Sequence, residues 1–284
     1  MSVLKELLEQ LQLERLEQNL FRGQSRDPGW GTVYGGQVLG QALSAAAQTV
    51  PPERIAHSLH GYFLRSGDVN APIIYDVDCI RDGKSFTTRR VVAIQHGRAI
   101  FNMAASFQIV EQGYEHQLEM PKAPGPEGLK SERELATRIA DKIPEPLRSR
   151  VTAERPIEVR PVEPNNPLAP QKRPPHRQVW CRAAEALPQE QWVHQCVLAY
   201  ASDSYFLGTA MAVHGVSPFQ RNLQAASLDH SMWFHRPINL DDWLLYDIDS
   251  PSTQGARGLV RGQFFDQAGT LVASTAQEGL MRPR

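Results

Sequence analysis

The chain has 284 residues, 41% hydrophobic and 21% charged, with 30 basic side chains against 31 acidic ones for a net charge of −1. That balance belongs to a globular protein of one large or two ordinary domains, and it lacks the basic excess of a nucleic-acid-binding surface. No apolar run reaches the length of a membrane span, and three scattered cysteines, Cys79, Cys181 and Cys196, without CxxC or Cys/His spacing, point to a reducing compartment and no structural metal. Val3, Leu4, Leu7, Leu8 and Leu11 then mark one face of a short N-terminal helix. This opening is acidic and amphipathic, unlike a leader peptide, and Leu280 to Arg284 carry no address signal, so the cytoplasm is the default location.

Residues 13–22 either extend that helix or begin a strand, with a strand from about Glu14 preferred. After the loop at Arg26 to Gly31, the segment Gly35 to Val50 reads as a helix apolar nearly all round, which is the mark of a buried one. Pro51 and Pro52 stop it. Strands follow to about Val110. From Met120 to Arg177 the chain holds about a dozen of its 21 prolines, with a helix expected at Ser131 to Ile143. Strands are expected at Ile157 to Val162 and at Arg177 to Ala183. A second buried helix is expected within Trp192 to Val213, with Ser202-Asp203 as an N-cap for its later part. Alternation and turn signals place strands over Leu244 to Asp249, Leu259 to Phe265 and Leu271 to Ala276.

The later strand region is an echo of an earlier one. Tyr75 to Asp78 lines up with Tyr246 to Asp249, Phe63 to Arg65 with Phe234 to Arg236, His60 with His230, and Gln108 with Gln277, all at an offset of about 170 residues. A period that long means two copies of one small domain rather than a solenoid. Each copy reads as a long buried helix followed by an antiparallel meander able to curl around it, the hotdog arrangement. The expected fold is therefore α+β, a double hotdog of two curled sheets placed edge to edge. Residues 1–112 form the first unit, 113–153 a proline-rich linker and 154–284 the second. Outer sheet edges left over predict self-association as a dimer or tetramer.

VYGGQVLGQAL at Val33 to Leu43, LDHSMWFHRP at Leu228 to Pro237, WLLYDIDSPS at Trp243 to Ser252, ARGLVRGQFF at Ala256 to Phe265 and LVASTAQEGLMR at Leu271 to Arg282 closely resemble the bacterial acyl-CoA thioesterase II family. The resemblance spans both halves. It implies a double hotdog that hydrolyses acyl-CoA to fatty acid and coenzyme A, without a cofactor. It also implies a site in which an Asp, a Thr or Ser, and a Gln hold the attacking water. Those positions fall on Asp203, Ser227 and Gln277.

Such a site must place a water near the thioester carbonyl, take its proton and support an oxyanion. Asp203 is the one member able to accept a proton at neutral pH, while Ser227 and Gln277 both donate and accept hydrogen bonds. Backbone N–H groups at a buried helix N-terminus suit the oxyanion, with Gly35 and Gly36 as candidates and His60 as a further substrate-binding candidate. Apart from the resemblance, Asp203 reads as a helix cap and Ser227 and Gln277 as strand-end polar residues. His57 falls near the place that Ser227 takes in the second copy, which leaves one site per chain. Asp76, Asp78, Asp247 and Asp249 read as a solvated face rather than a metal site. Asp82 to Ser85 lacks the upstream glycine of a P-loop. There is no GxSxG elbow for a serine hydrolase. The rivals are a hotdog hydratase or dehydratase, which needs an Asp/His pair, and a non-catalytic acyl-CoA binding module.

Overall fold

The computed structural model describes residues 1–220 and 222–284. The first half opens with helix α1 (Val3–Leu11), whose Leu4, Leu7 and Leu11 are buried at helical spacing and whose N-cap Ser2 accepts from the Lys5 amide. A hairpin of β1 (Glu14–Glu17) and β2 (Leu20–Gly23) follows, so the ambiguous segment is strand from Glu14 as preferred. Helix α2 (Gly35–Ala47) is buried at every position from Gly36 to Ala46. It packs against the strands β3 (Arg54–Phe63), β4 (Ile73–Asp82), β5 (Phe86–Gln95) and β6 (Arg98–Ile109).

The proline-rich stretch holds two short helices, α3 (Glu132–Thr137) and α4 (Leu147–Thr152). Ser131 and Glu134 close α3 with a reciprocal capping box. Before them the chain crosses the outer side of the second half. There Met120, Ala123 and Leu129 cover Trp180, Trp243, Leu245, Phe265 and Leu271, and the Trp180 indole donates to Pro124 O at 2.8 Å. Strands β7 (Ile157–Pro161) and β8 (His176–Ala183) lead to α5 (Gln191–Ser202) and α6 (Phe206–His214). The chain closes with β9 (Leu223–Ser227), β10 (Asp229–Phe234), β11 (Leu244–Gln254), β12 (Arg257–Asp266) and β13 (Leu271–Pro283).

The strands expected as two sheets form one antiparallel sheet, ordered β1-β2-β4-β5-β6-β3-β10-β13-β12-β11-β8-β7, with β9 on β13. The joint is β3 against β10, with His60 opposite Ser231 and Leu59 opposite Met232. Pairing satisfies two edges that would otherwise stay open. The two central helices, α2 and α5, lie against each other across this joint.

Two expectations are corrected in the second half. Its buried helix is not one element but two, broken at Asp203 to Tyr205, and Asp203 is the C-cap of α5 rather than an N-cap. The N-cap of α6 is Tyr205, at φ +70, a left-handed conformation that non-glycine residues seldom adopt. The span Gln191–His214 is also apolar enough by length and composition to cross a membrane, at a mean hydropathy of 1.2 over an 18-residue window; 61% of that window is buried inside the molecule, as core helices are.

Register decides which parts of the repeat hold. Tyr75 and Tyr246 are both fully buried, and Phe63 and Phe234 both end their strands next to the joint, at an offset of 171 residues. His60 and His230 do not match. His60 is exposed on the outer face, while His230 is 0% exposed on the inner one, opposite Gly61. A slip of a single residue turns a side chain to the other face. Gln108 fails against Gln277 likewise, because the inward residues of β6 are Phe101, Met103, Ala105 and Phe107. The acidic pairs lie on the outer face as expected, Asp78 taking Arg90 at 2.8 Å and Asp249 taking Arg261 at 2.7 Å.

Candidate active site

Four elements converge at the break between α5 and α6. The break delivers Asp203, β9 delivers Ser227, β13 delivers Gln277, and from the first half comes the N-terminus of α2. Ser227 Oγ donates to Asp203 Oδ1 at 3.5 Å, and the Gln277 amide donates to Ser227 Oγ at 2.8 Å. Gln277 and the Gly36 N–H also lie close enough to the Asp203 carboxylate to favour its charged form. The three residues singled out from the sequence are therefore in one cluster.

Gly35 and Gly36 are brought to the same point, for a reason their side chains supply by being absent. A Cβ on Gly35 would lie 2.7 Å from Asp203 Oδ2, and one on Gly36 would collide with Tyr200 O and the Tyr34 ring. Glycine lets the helix end meet the carboxylate. The Tyr34 hydroxyl completes the clamp, donating to Tyr200 O at 3.0 Å and lying 2.8 Å from Ser204 Oγ.

His60 is not brought in. It sits on the far face of the sheet, with Nδ1 3.1 Å from Ser231 Oγ. His57 is likewise engaged elsewhere, 2.8 Å from Ser106 Oγ. The residue that sequence reasoning left out is His230. Its Nδ1 lies 2.6 Å from Gln277 Oε1 and its Nε2 2.9 Å from Ser202 Oγ. Matching it to His60 hid the signal; its place between Leu228 and Met232 on an inward strand face was the clue available.

Asp203 retains a little accessible surface, yet protein packs around its carboxyl. Burial pushes its pKa up, opposed by His230, Gln277, the Gly36 N–H and Ser227 in that order. Burial pulls His230 down, against the field of Asp203 and the bond to Gln277, so the imidazole is neutral. A carboxylate raised towards neutrality beside a neutral histidine is suited to accepting a proton.

The residues flanking Asp203 line a cavity of about 1210 Å³. Tyr34, Ala201, Ser204 and Tyr205 form its inner end, Val179 and Tyr246 bring in the inner sheet face, and arginines including Arg26, Arg150 and Arg155 stand along the rest of its lining. Helices α3 and α4 border it. Glu132 of α3 lies against Tyr205, and the Arg150 guanidinium sits 5.0 Å from the Trp30 ring.

The family described as Acyl-CoA thioesterase is matched over residues 146–280, and its N-terminal domain over residues 26–108. Acyl-CoA thioesterase 2 of Haemophilus influenzae is 44% identical over 99% of this chain and 98% of its own length. Human acyl-coenzyme A thioesterase 8 is 41% identical over 96% of this chain and 87% of its own. Among solved structures, an acyl-CoA thioesterase II from Mycobacterium marinum superposes with a TM-score of 0.80 at 42% identity, covering 98% of both chains. A protein with a hot dog fold from Alicyclobacillus acidocaldarius superposes at 0.77 with 18% identity over 98% of each, which shows the fold alone. With relatives this similar along nearly its whole length, the chain belongs to the acyl-CoA thioesterase family.

Proposed function

We propose that this chain hydrolyses acyl-CoA to a free fatty acid and coenzyme A, using a water held by Asp203, Ser227 and Gln277. The carrying observation is the convergence of those three side chains, within hydrogen-bond reach of one another, on the N-terminus of α2 and beside the cavity. Asp203 takes a proton from the water as its oxygen bonds to the thioester carbonyl carbon. The positive end of α2, at Gly35 and Gly36, faces the charge that develops on the carbonyl oxygen. The tetrahedral species collapses, the carbon–sulfur bond breaks, and the thiolate of coenzyme A leaves and is protonated. The cavity's apolar inner wall suits an acyl chain and its arginines suit phosphates. We read the fold as two hotdog units, residues 1–112 and 154–284, joined by the linker 113–153. The 171-residue correspondence of Tyr75 with Tyr246 and of Phe63 with Phe234 about the β3–β10 joint supports that division.

A hydratase or dehydratase reading needs a histidine free to exchange a proton with substrate. Both nitrogens of His230 are engaged within the protein, which favours hydrolysis. The test is thiol release from palmitoyl-CoA, followed with a thiol reagent, for the wild type and Asp203→Asn. Hydrolysis by the wild type and a loss of about 10²-fold or more in kcat for the variant is the expected result. Binding without thiol release would make the protein an acyl-CoA binding module, and an acyl group trapped on Ser227 would contradict direct attack by water.

A further inference from the structure

We infer that His230 is a positioning residue that fixes which way the Gln277 amide points, and that Ser202 in turn fixes His230. The inference rests on the role given above to Asp203 and its water. Gln277 is 2% exposed, and its two ends look in opposite directions, one towards His230 Nδ1 at 2.6 Å and the other towards Ser227 Oγ at 2.8 Å. An amide turned through half a revolution would occupy the same space but exchange donor for acceptor. Its oxygen would then face the Asp203 carboxylate, acceptor against acceptor, and Ser227 would be drawn to donate to Gln277 instead of Asp203. Something must select the productive orientation.

His230 does so if Nδ1 carries the hydrogen, because Nδ1–H accepts nothing and can satisfy only the amide oxygen. Neutral imidazole then has its lone pair on Nε2, 2.9 Å from Ser202 Oγ; that hydroxyl also lies 2.9 Å from Ala199 O, and in this arrangement its one hydrogen turns from the carbonyl to the ring. Ser202 is itself fully buried in the last turn of α5, one residue before Asp203, and the Tyr246 hydroxyl donates to its carbonyl at 3.1 Å. The hydrogen-bond directions thus run Ser202 to His230 to Gln277 to Ser227 to Asp203. All donors point towards the carboxylate. Burial of the ring keeps it from becoming the doubly protonated form that would leave Ser202 without its acceptor.

The direct test is nitrogen NMR on protein labelled at histidine, at neutral pH and without substrate. The expected signature is a neutral ring protonated at Nδ1, the tautomer that free imidazole side chains disfavour. Three variants give the functional arm with palmitoyl-CoA. His230→Asn keeps a donor at the Nδ1 position and should hold kcat within about threefold. His230→Gln and His230→Leu lose that donor and should drop kcat by about 10- to 100-fold with KM within about twofold, the range for a group that orients another. A ring protonated at Nε2 or at both nitrogens overturns the assignment whether or not any variant folds. So does wild-type kcat in a folded His230→Leu protein. Should the wild type itself release no thiol, the hydrolysis reading fails while the tautomer still decides the positioning claim.

Discussion

At Asp203 the protein holds an acid where water is scarce, and the consequences for rate and for stability have opposite signs. The folded-state pKa is raised above the ordinary 3.8, first by burial. Ionising the group therefore costs native-state stability at neutral pH, and that cost disappears as pH falls through the raised pKa towards the unfolded value. The proposed role of Asp203 as proton acceptor needs the ionised form. Hence kcat/KM should have an acid limb set above 3.8, while Asp203→Asn, for all its expected loss of turnover, should melt no lower than the wild type near neutral pH. The variant's relative advantage should shrink on acidification. A pH–rate profile and melts at about pH 4 and about pH 8 read both signs, and an acid limb at or below the ordinary carboxylate value would mean that another group sets it. Asp203, Ser227 and Gln277 were legible through the resemblance to a known family: Gln277 lies inside the block Leu271 to Arg282, Ser227 directly precedes the block Leu228 to Pro237, and Asp203, outside every block, was placed by the family's pattern alone. His230 was not, although it lies in such a block itself. Its partner in the repeat was sought at an offset of 170, whereas the strands pair about an offset of 171, and the odd difference puts His60 on the opposite face.

Among the elements, the contact of α2 with α5 does most to make the site. Small residues along α2 allow it: Gly36 faces Tyr200 O, and a Cβ on Gly40 would lie 3.0 Å from Cys196 O. Those neighbours are backbone oxygens, which cannot swing aside as a side-chain end would. Gly36→Ala should therefore force the helices apart, cost about 1–3 kcal/mol as overpacking does, and draw the Gly36 N–H away from Asp203 with a fall in turnover. Gly208→Ala in α6 is the matched control, since the nearest atom to its Cβ is Arg177 Nη1 at 3.6 Å; it should be neutral or slightly stabilising. Thermal melts and thiol-release rates on the two variants check this, and equal effects would show that the close approach of α2 does not matter. The all-round apolar pattern of Gly35 to Ala46 made α2 readable. The break after α5 was only half readable: Ser202-Asp203 signalled a cap, but Asp203, Ser204 and Tyr205 include neither glycine nor proline to show that one helix ends there before the next begins. Contacts far apart in sequence, from Tyr34 and Gly36, meet the chain there.

Taken whole, the molecule runs one sheet through both parts of the chain and packs its two central helices, α2 and α5, against each other. The strands around Tyr75 and Tyr246 were legible from their alternation, but the single continuous sheet depends on the edge pairing of β3 with β10, which no local pattern encodes. Further ties cross the same boundary: the Gln195 amide donates to Ala56 O at 2.7 Å, and the Phe63 N–H donates to Leu228 O at 2.9 Å. The linker adds a strap, since Met120, Ala123 and Leu129 seal an apolar patch on the second half that would face water without them. Pulling either half away would leave strand edges, buried amides and the face of a central helix exposed at once. The halves should accordingly unfold together, with one calorimetric transition whose van't Hoff and calorimetric enthalpies agree. A non-hydrolysable acyl-CoA analogue that binds the folded site should move that single transition upward as one. Two resolved transitions, with only the later half shifted by the analogue, would show that the first half contributes neither stability nor the α2 terminus to the site.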